Sequence, residues 1–244
     1  MDEFSDFGGG MIARKPTGPV GSAVGDGTPV LIIGGLASTP TTLRPLTNWL
    51  EQLGWQPVVA PVRAGLDCGE RTMPAIDQAL EDIRLEYGGP PVVVAHSRGG
   101  QFARAATVRN PDAVRALITL GSPINRLLAV HPLLRIEVSL LSVAGAIGVP
   151  GLFSPSCLWG ACCRTLRDDL LAPFPQGVPY LSVYSRRDAI VDWRSCLDPA
   201  ARHLEVDASH IGLINSAGAL EVVAQEIARC VRSRGLQPAQ SIAA

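Results

Sequence analysis

"VVVAHSRGGQFARAA", Val92 to Ala106, passes from a solid apolar block into a polar turn, then two glycines, then a helical pattern rich in alanine and arginine. An unbroken β-branched run is what a strand covered on both faces needs, so this stretch reads as a buried strand, a tight turn at Ser97 and a helix from about Gln101 to Val108. The same grammar recurs along the chain. Apolar blocks stand at "PVLIIGG" (29–35), "QPVVAPV" (56–62), "PVVVAHS" (91–97), "RALITLGS" (115–122), "PYLSVYS" (179–185) and "RHLEVDA" (202–208). Between them, Leu43, Leu46, Trp49, Leu50 and Leu53 recur at helical steps before Gly54. Met73–Tyr87 and Leu220–Val231 carry the same spacing. Strands alternating with helices predict an α/β fold with a single doubly wound, mostly parallel sheet of about six strands.

One interval breaks the rhythm. From about Ile124 to Val178 no strand block occurs, and five prolines punctuate an apolar segment. An insertion after a strand's carboxyl end sits where such sheets bind ligands, so 124–178 reads as a helical lid carrying the substrate contacts, the alternative being a helical excursion that completes the core. The domain therefore spans 29–235. A Gly- and Pro-rich segment (1–28) and a tail (236–244) are expected to be flexible.

The 244 residues are 47% hydrophobic, and 21 Lys+Arg are balanced by 22 Asp+Glu. That balance argues against a nucleic-acid partner, and no run is long and apolar enough for a membrane span. The amino terminus begins acidic with no central apolar stretch, so a cytoplasmic protein with reduced thiols is expected. The six cysteines admit many pairings that sequence does not choose among. "CLWGACC" (157–163) offers thiols but lacks a second paired-cysteine unit at a credible spacing, so neither metal nor cofactor is expected.

The turn at Ser97 is where the chemistry concentrates. A serine held in a strained strand-to-helix turn needs small residues two before and two after it, here Ala95 and Gly99. Ser216 also has a glycine two residues on, but Ile214 occupies the other position, which disqualifies it. A serine hydroxyl needs a base oriented by a carboxylate. His96 sits beside the serine and points away from its side chain, His131 falls in the insertion, and His203 begins a strand. His210, in a loop after the last strand, is the candidate base. Asp188 is the candidate carboxylate and Asp192 the second choice; Asp207 is read as a loop contact. Oxyanion donors are expected from the backbone amides of Arg98, after the nucleophile, and Leu36, in "GGLAS".

Together "GGLAS", "AHSRGG", "LGSP", "SRRDAIVDW" and "SHIGL" resemble the α/β-hydrolase superfamily, and within it actinobacterial serine esterases and lipases, from about Pro29 to Val231. The resemblance implies a catalytic Ser97, Asp188 and His210, and a fold whose first strands are reduced. It leaves the reaction open. A Leu-, Val- and Ile-rich insertion favours hydrolysis of a small hydrophobic ester. Arg63, Arg98 and Arg126 could instead hold a substrate carboxylate, in keeping with a natural-product tailoring enzyme that eliminates, transfers or releases an acyl group. A non-catalytic ligand-binding member of the fold is the remaining alternative.

Overall fold

The computed structural model describes residues 25–124 and 131–235. The expected lead-in up to residue 24, the tail from 236 and Arg126 lie outside the described residues. Six strands, β1 (Pro29–Ile33), β2 (Gln56–Val59), β3 (Val92–His96), β4 (Ala116–Leu120), β5 (Tyr180–Tyr184) and β6 (Arg202–Glu205), form one sheet in the order β2-β1-β3-β4-β5-β6. Every neighbouring pair is parallel. The expected α/β-hydrolase architecture is the one observed.

β1, β3 and β4 are buried along their whole length. Val92 and Val94 face one core, while Val93 and Ala95 face the other. Covering both faces explains why these strands show no polar alternation. β2 and β6 lie at the edges, and there the pattern relaxes: Pro57, which has no N–H for a ladder, is tolerated in β2.

Helices α1 (Pro40–Gln52) and α7 (Ala217–Gly235) cover one face; α2 (Gly69–Tyr87) and α3 (Arg98–Arg109) cover the other. Thr39 and Thr42 form a reciprocal capping box at the start of α1. α2 ends at Gly88 with φ 72°, a left-handed cap that glycine adopts without strain. It begins four residues before the periodic apolar positions of the sequence, because Gly69 lies bare against Leu166 and Cys163.

The interval between β4 and β5 is helical, with α4 (Pro132–Ala146), α5 (Pro155–Leu158) and α6 (Arg164–Leu171). It packs over the α3 side through Phe153, Cys157, Cys163 and Leu166. Arg104 on α3 holds the far end of α6. Its Nε pairs with Asp198 at 2.6 Å, both side chains nearly fully buried, and its Nη1 donates to the carbonyls of Leu170 (2.7 Å) and Ala172 (3.2 Å). A guanidinium on the last carbonyls of a helix satisfies groups that have no partner within it.

Candidate active site

From β1 the chain moves outward to β2 and then returns to β3 on the other side, so the crevice between the carboxyl ends of β1 and β3 is the switch point of the sheet. Ser97 stands there, between β3 and α3, with φ 53° and ψ −129°. A non-glycine residue at positive φ costs on the order of 1–3 kcal/mol and persists only where its surroundings hold it. They do so here. The Ser97 amide donates to the Leu120 carbonyl at 2.9 Å, and a side chain at Gly99 would collide with the Ile33 and Gly34 carbonyls.

The loop after β1 lies directly against this turn. A Cβ on Gly35 would fall 2.6 Å from the Ser97 Cβ and 3.2 Å from the Arg98 nitrogen, so only glycine lets the two loops meet. The turn bond in this loop runs from the Ser38 amide to the Gly35 carbonyl, leaving the Leu36 N–H outside it. Arg98 opens α3, where an N–H has no partner inside the helix.

Asp188 and His210 meet at the ends of β5 and β6. His210 Nδ1 donates to Asp188 Oδ2 at 2.7 Å, and both side chains are buried. The other carboxylate oxygen accepts from the Ile190 and Val191 amides, each at 2.8 Å, which fixes its orientation. A carboxylate on Nδ1 keeps the proton there, so the neutral ring presents a lone pair at Nε2. Room for the pair comes from Gly121, at φ 55°: a Cβ there would lie 3.2 Å from Asp188 Oδ2 and 3.3 Å from His210 Nδ1.

The other candidates are occupied elsewhere. Asp192 is exposed and caps the short 3-10 turn Trp193–Cys196. Asp207 pairs at the surface with Arg187. His131 binds through its amide to the Ile190 carbonyl, and His203 Nε2 contacts the Asp198 carbonyl. Ser216 accepts from the Ala219 amide at the start of α7.

His96 has a task the sequence did not reveal. Its Nε2 donates to the backbone carbonyl of His210 at 3.0 Å, with the two rings 4.6 Å apart. Burial, then the neighbouring His210, pushes its pKa down to about 3. Among the described residues its Nδ1 has no partner.

Leu36, Ser97 and Arg98 open onto a cavity of about 430 Å³ whose far wall is supplied by the insertion, including Val138, Phe153 and Leu166. The Arg98 side chain corrects an expectation. Its guanidinium donates to the Gly65 and Asp67 carbonyls and lies over the rings of Phe102 and Phe153, at 5.2 and 4.7 Å. Burial lowers its pKa to about 10, opposed by the thiols of Cys163, Cys157 and Cys68 and by Asp67. It braces the cavity wall rather than standing as a cation for a substrate carboxylate. Arg63 is exposed.

The family model for the alpha/beta hydrolase fold matches residues 28–153, just over half of the chain. The chain belongs to the α/β-hydrolase fold family. The match includes the Gly35 loop and the Ser97 turn and ends before Asp188 and His210. Among solved structures, the mature lipase BlEst2 of Bacillus licheniformis is similar at 15% identity over 82% of this chain and 91% of its own, with a TM-score of 0.62. A metagenomic carboxyl esterase, MGS0156, matches at 16% identity over 86% and 76%, with a TM-score of 0.60. A thioesterase domain from the curacin biosynthetic pathway matches at 15% over 82% and 92%, with a TM-score of 0.52. At these identities the likeness is one of fold. Among curated proteins, none matches the chain in sequence.

Proposed function

We propose that the protein is a serine hydrolase that cleaves a small carboxylic ester with an apolar acyl or alcohol part through an acyl-enzyme intermediate. The observation that carries this reading is Ser97, strained at the switch point and open to an apolar cavity, on the same end of the sheet as the Asp188–His210 pair. In this mechanism His210 Nε2 takes the Ser97 proton as Oγ attacks the ester carbonyl. Asp188 holds the ring in the working tautomer and stabilises the imidazolium. The Leu36 and Arg98 amides receive the developing oxyanion, a contribution of about 100- to 1000-fold per donor in related chemistry. His210 then returns the proton to the leaving alcohol, and water repeats the sequence on the acyl-enzyme.

The apolar wall supplied by α4 to α6 supports an acyl or alcohol chain as the recognised part, with the insertion acting as a lid. Among the described residues no helix is long and apolar enough to cross a membrane. A cytoplasmic location belongs to the same proposal and is supported by Cys68, Cys157, Cys162 and Cys163, which stand close without disulfides.

The test is intact mass after exposure to a fluorophosphonate, alongside p-nitrophenyl esters of graded chain length, for wild type and Ser97→Ala. Labelling at Ser97 with ester turnover is expected, and both vanish in the variant. Labelling without turnover would transfer the reading to acyl elimination, transfer or thioester release. A folded wild type that does not label would overturn the nucleophile.

A further inference from the structure

Along the sequence, "CLWGACC" stands without a second ligand unit. The fold supplies one: Cys68, 94 residues before Cys162, stands at the N-terminal end of α2 and faces the loop between α5 and α6. Its Sγ lies 3.4 Å from that of Cys162 and 3.5 Å from that of Cys163. Cys157 Sγ is 3.7 Å from Cys162 Sγ, and all four sulfurs lie within 4.8 Å of one another.

We propose that Cys68, Cys157, Cys162 and Cys163 bind one zinc ion as a closed tetrathiolate that fastens the insertion to the catalytic domain. Zn–S bonds of about 2.3 Å arranged tetrahedrally place the sulfurs about 3.8 Å apart, the spacing approached here. A disulfide needs sulfurs about 2.05 Å apart, and two such bonds would have to choose between contacts that are all similar. Multi-iron clusters set each thiolate on its own iron and so demand a wider cage. Four soft sulfur ligands, with no carboxylate or imidazole in the group, select zinc over hard cations and leave no open coordination position. The site is structural.

The surroundings suit the charge. Zinc with four thiolates carries a net charge of −2, which a buried position tolerates only with compensating groups. The half-buried Arg98 guanidinium is drawn electrostatically to Cys163, Cys157 and Cys68. Arg167 donates to the carbonyls of Cys157 (3.1 Å) and Gly160, holding the ligand loop. The Ser154 amide donates to Cys157 Sγ at 3.3 Å, and Cys68 caps α2, whose N-terminal dipole favours a thiolate. Of the acids beside Cys68, Asp67 is paired with Arg71 at 2.5 Å and Glu70 accepts from the Leu166 amide at 3.1 Å. Cys157 and Cys163 also line the cavity beside Ser97, so the ion would hold the wall against which the substrate packs.

This proposal does not depend on the ester reading, because its test counts metal rather than turnover. Protein is produced with zinc in the medium and purified without a metal-binding tag, with a phosphine reductant. Elemental analysis and native mass spectrometry are expected to give one zinc per chain, released by mercurial titration of the thiols. Cobalt(II) exchanged into the wild type should show the intense visible bands and near-ultraviolet charge transfer of a tetrahedral tetrathiolate. Cys162 is the exposed ligand, so Cys162→Ser should fold while losing zinc affinity by about tenfold or more, with a Tm lower by on the order of 10 °C. Cys230→Ala, on α7, should keep its zinc. A wild type that holds no zinc with these thiols freely alkylated would overturn the proposal. So would, in a parallel preparation made without reductant, an intact mass short by two hydrogens per cysteine pair, or cobalt spectra unchanged by Cys162→Ser.

Discussion

The two faces of the sheet are built on different principles. On the α1 and α7 face, Leu46, Trp49, Leu220, Val223 and Ile227 meet Val30, Val92 and Ile118 in an apolar interior, with a buried Glu226 on α7 paired to Arg202 and Arg229 at its margin. On the α2 and α3 face the apolar layer continues through Met73, Ile76 and Phe102, but the insertion above it is tied by directed groups. These are the Arg104–Asp198 pair, Arg98 against backbone carbonyls, Glu70 on the Leu166 amide, and the four thiols. A helix face buries area wherever it lands, whereas a short irregular segment has too little apolar surface to fix its own position. Polar anchors supply the position.

The Asp188–His210 pair, proposed as catalytic, stands at the end of the sheet, and breaking it should have the largest effect. Asp188→Asn is expected to lower kcat on a hydrolysed ester by about 10⁴-fold while leaving the unfolding midpoint nearly unchanged. Next comes the polar face: Arg104→Ala leaves Asp198 buried without its partner and should cost about 3–5 kcal/mol, with hydrogen exchange accelerating first in α6. On the apolar face Leu220→Ala should cost about 2–4 kcal/mol, read as one cooperative urea transition with no local signature. If Arg104→Ala instead loosens the whole domain uniformly, the distinction between the faces fails.

A pH effect, smaller per unit than these losses, sharpens the comparison. His96 has a free-chain pKa near 6.5 and about 3 when folded. The unfolded chain therefore binds a proton that the folded chain does not, so stability falls as pH drops from about 6.5 toward 3, by up to about 1.4 kcal/mol per unit. His96→Gln, which keeps a donor for the His210 carbonyl, should flatten that slope in urea titrations run between these limits. Smallest of all, Leu140→Ser on the exposed side of α4 should change stability by no more than about 0.5 kcal/mol.

Legibility in the sequence followed the same division. Strands such as "PVLII" and "VVVAH" were readable because burial on both faces leaves an unbroken apolar run, and α1 because its spacing and caps are local. The tight turn at Ser97 was readable from Ala95 and Gly99, and the loop positions of Asp188 and His210 from their place just after strands. What escaped was set by contacts between distant residues. Nothing near Cys68 announces Cys162, and nothing near Arg104 announces Asp198. Arg98 looked like a free cation because the carbonyls it serves, at Gly65 and Asp67, belong to another loop. Gly121 did leave a trace, as the glycine of "LGSP" at a strand end, but its purpose of admitting Asp188 and His210 is visible only in three dimensions.

The all-parallel register also has a meaning in time. No strand here can pair with its neighbour through a tight hairpin: Val30 waits for Val92, Leu117 for Tyr180, and Leu181 for Arg202. Each closure needs a long crossover, which makes such sheets slow to assemble. His210 follows the sixth strand and Asp188 the fifth, so the pair exists only after the last crossover has docked. On refolding, helical signal should return first and the capacity to turn over substrate last, making activity a clock for the final step of assembly.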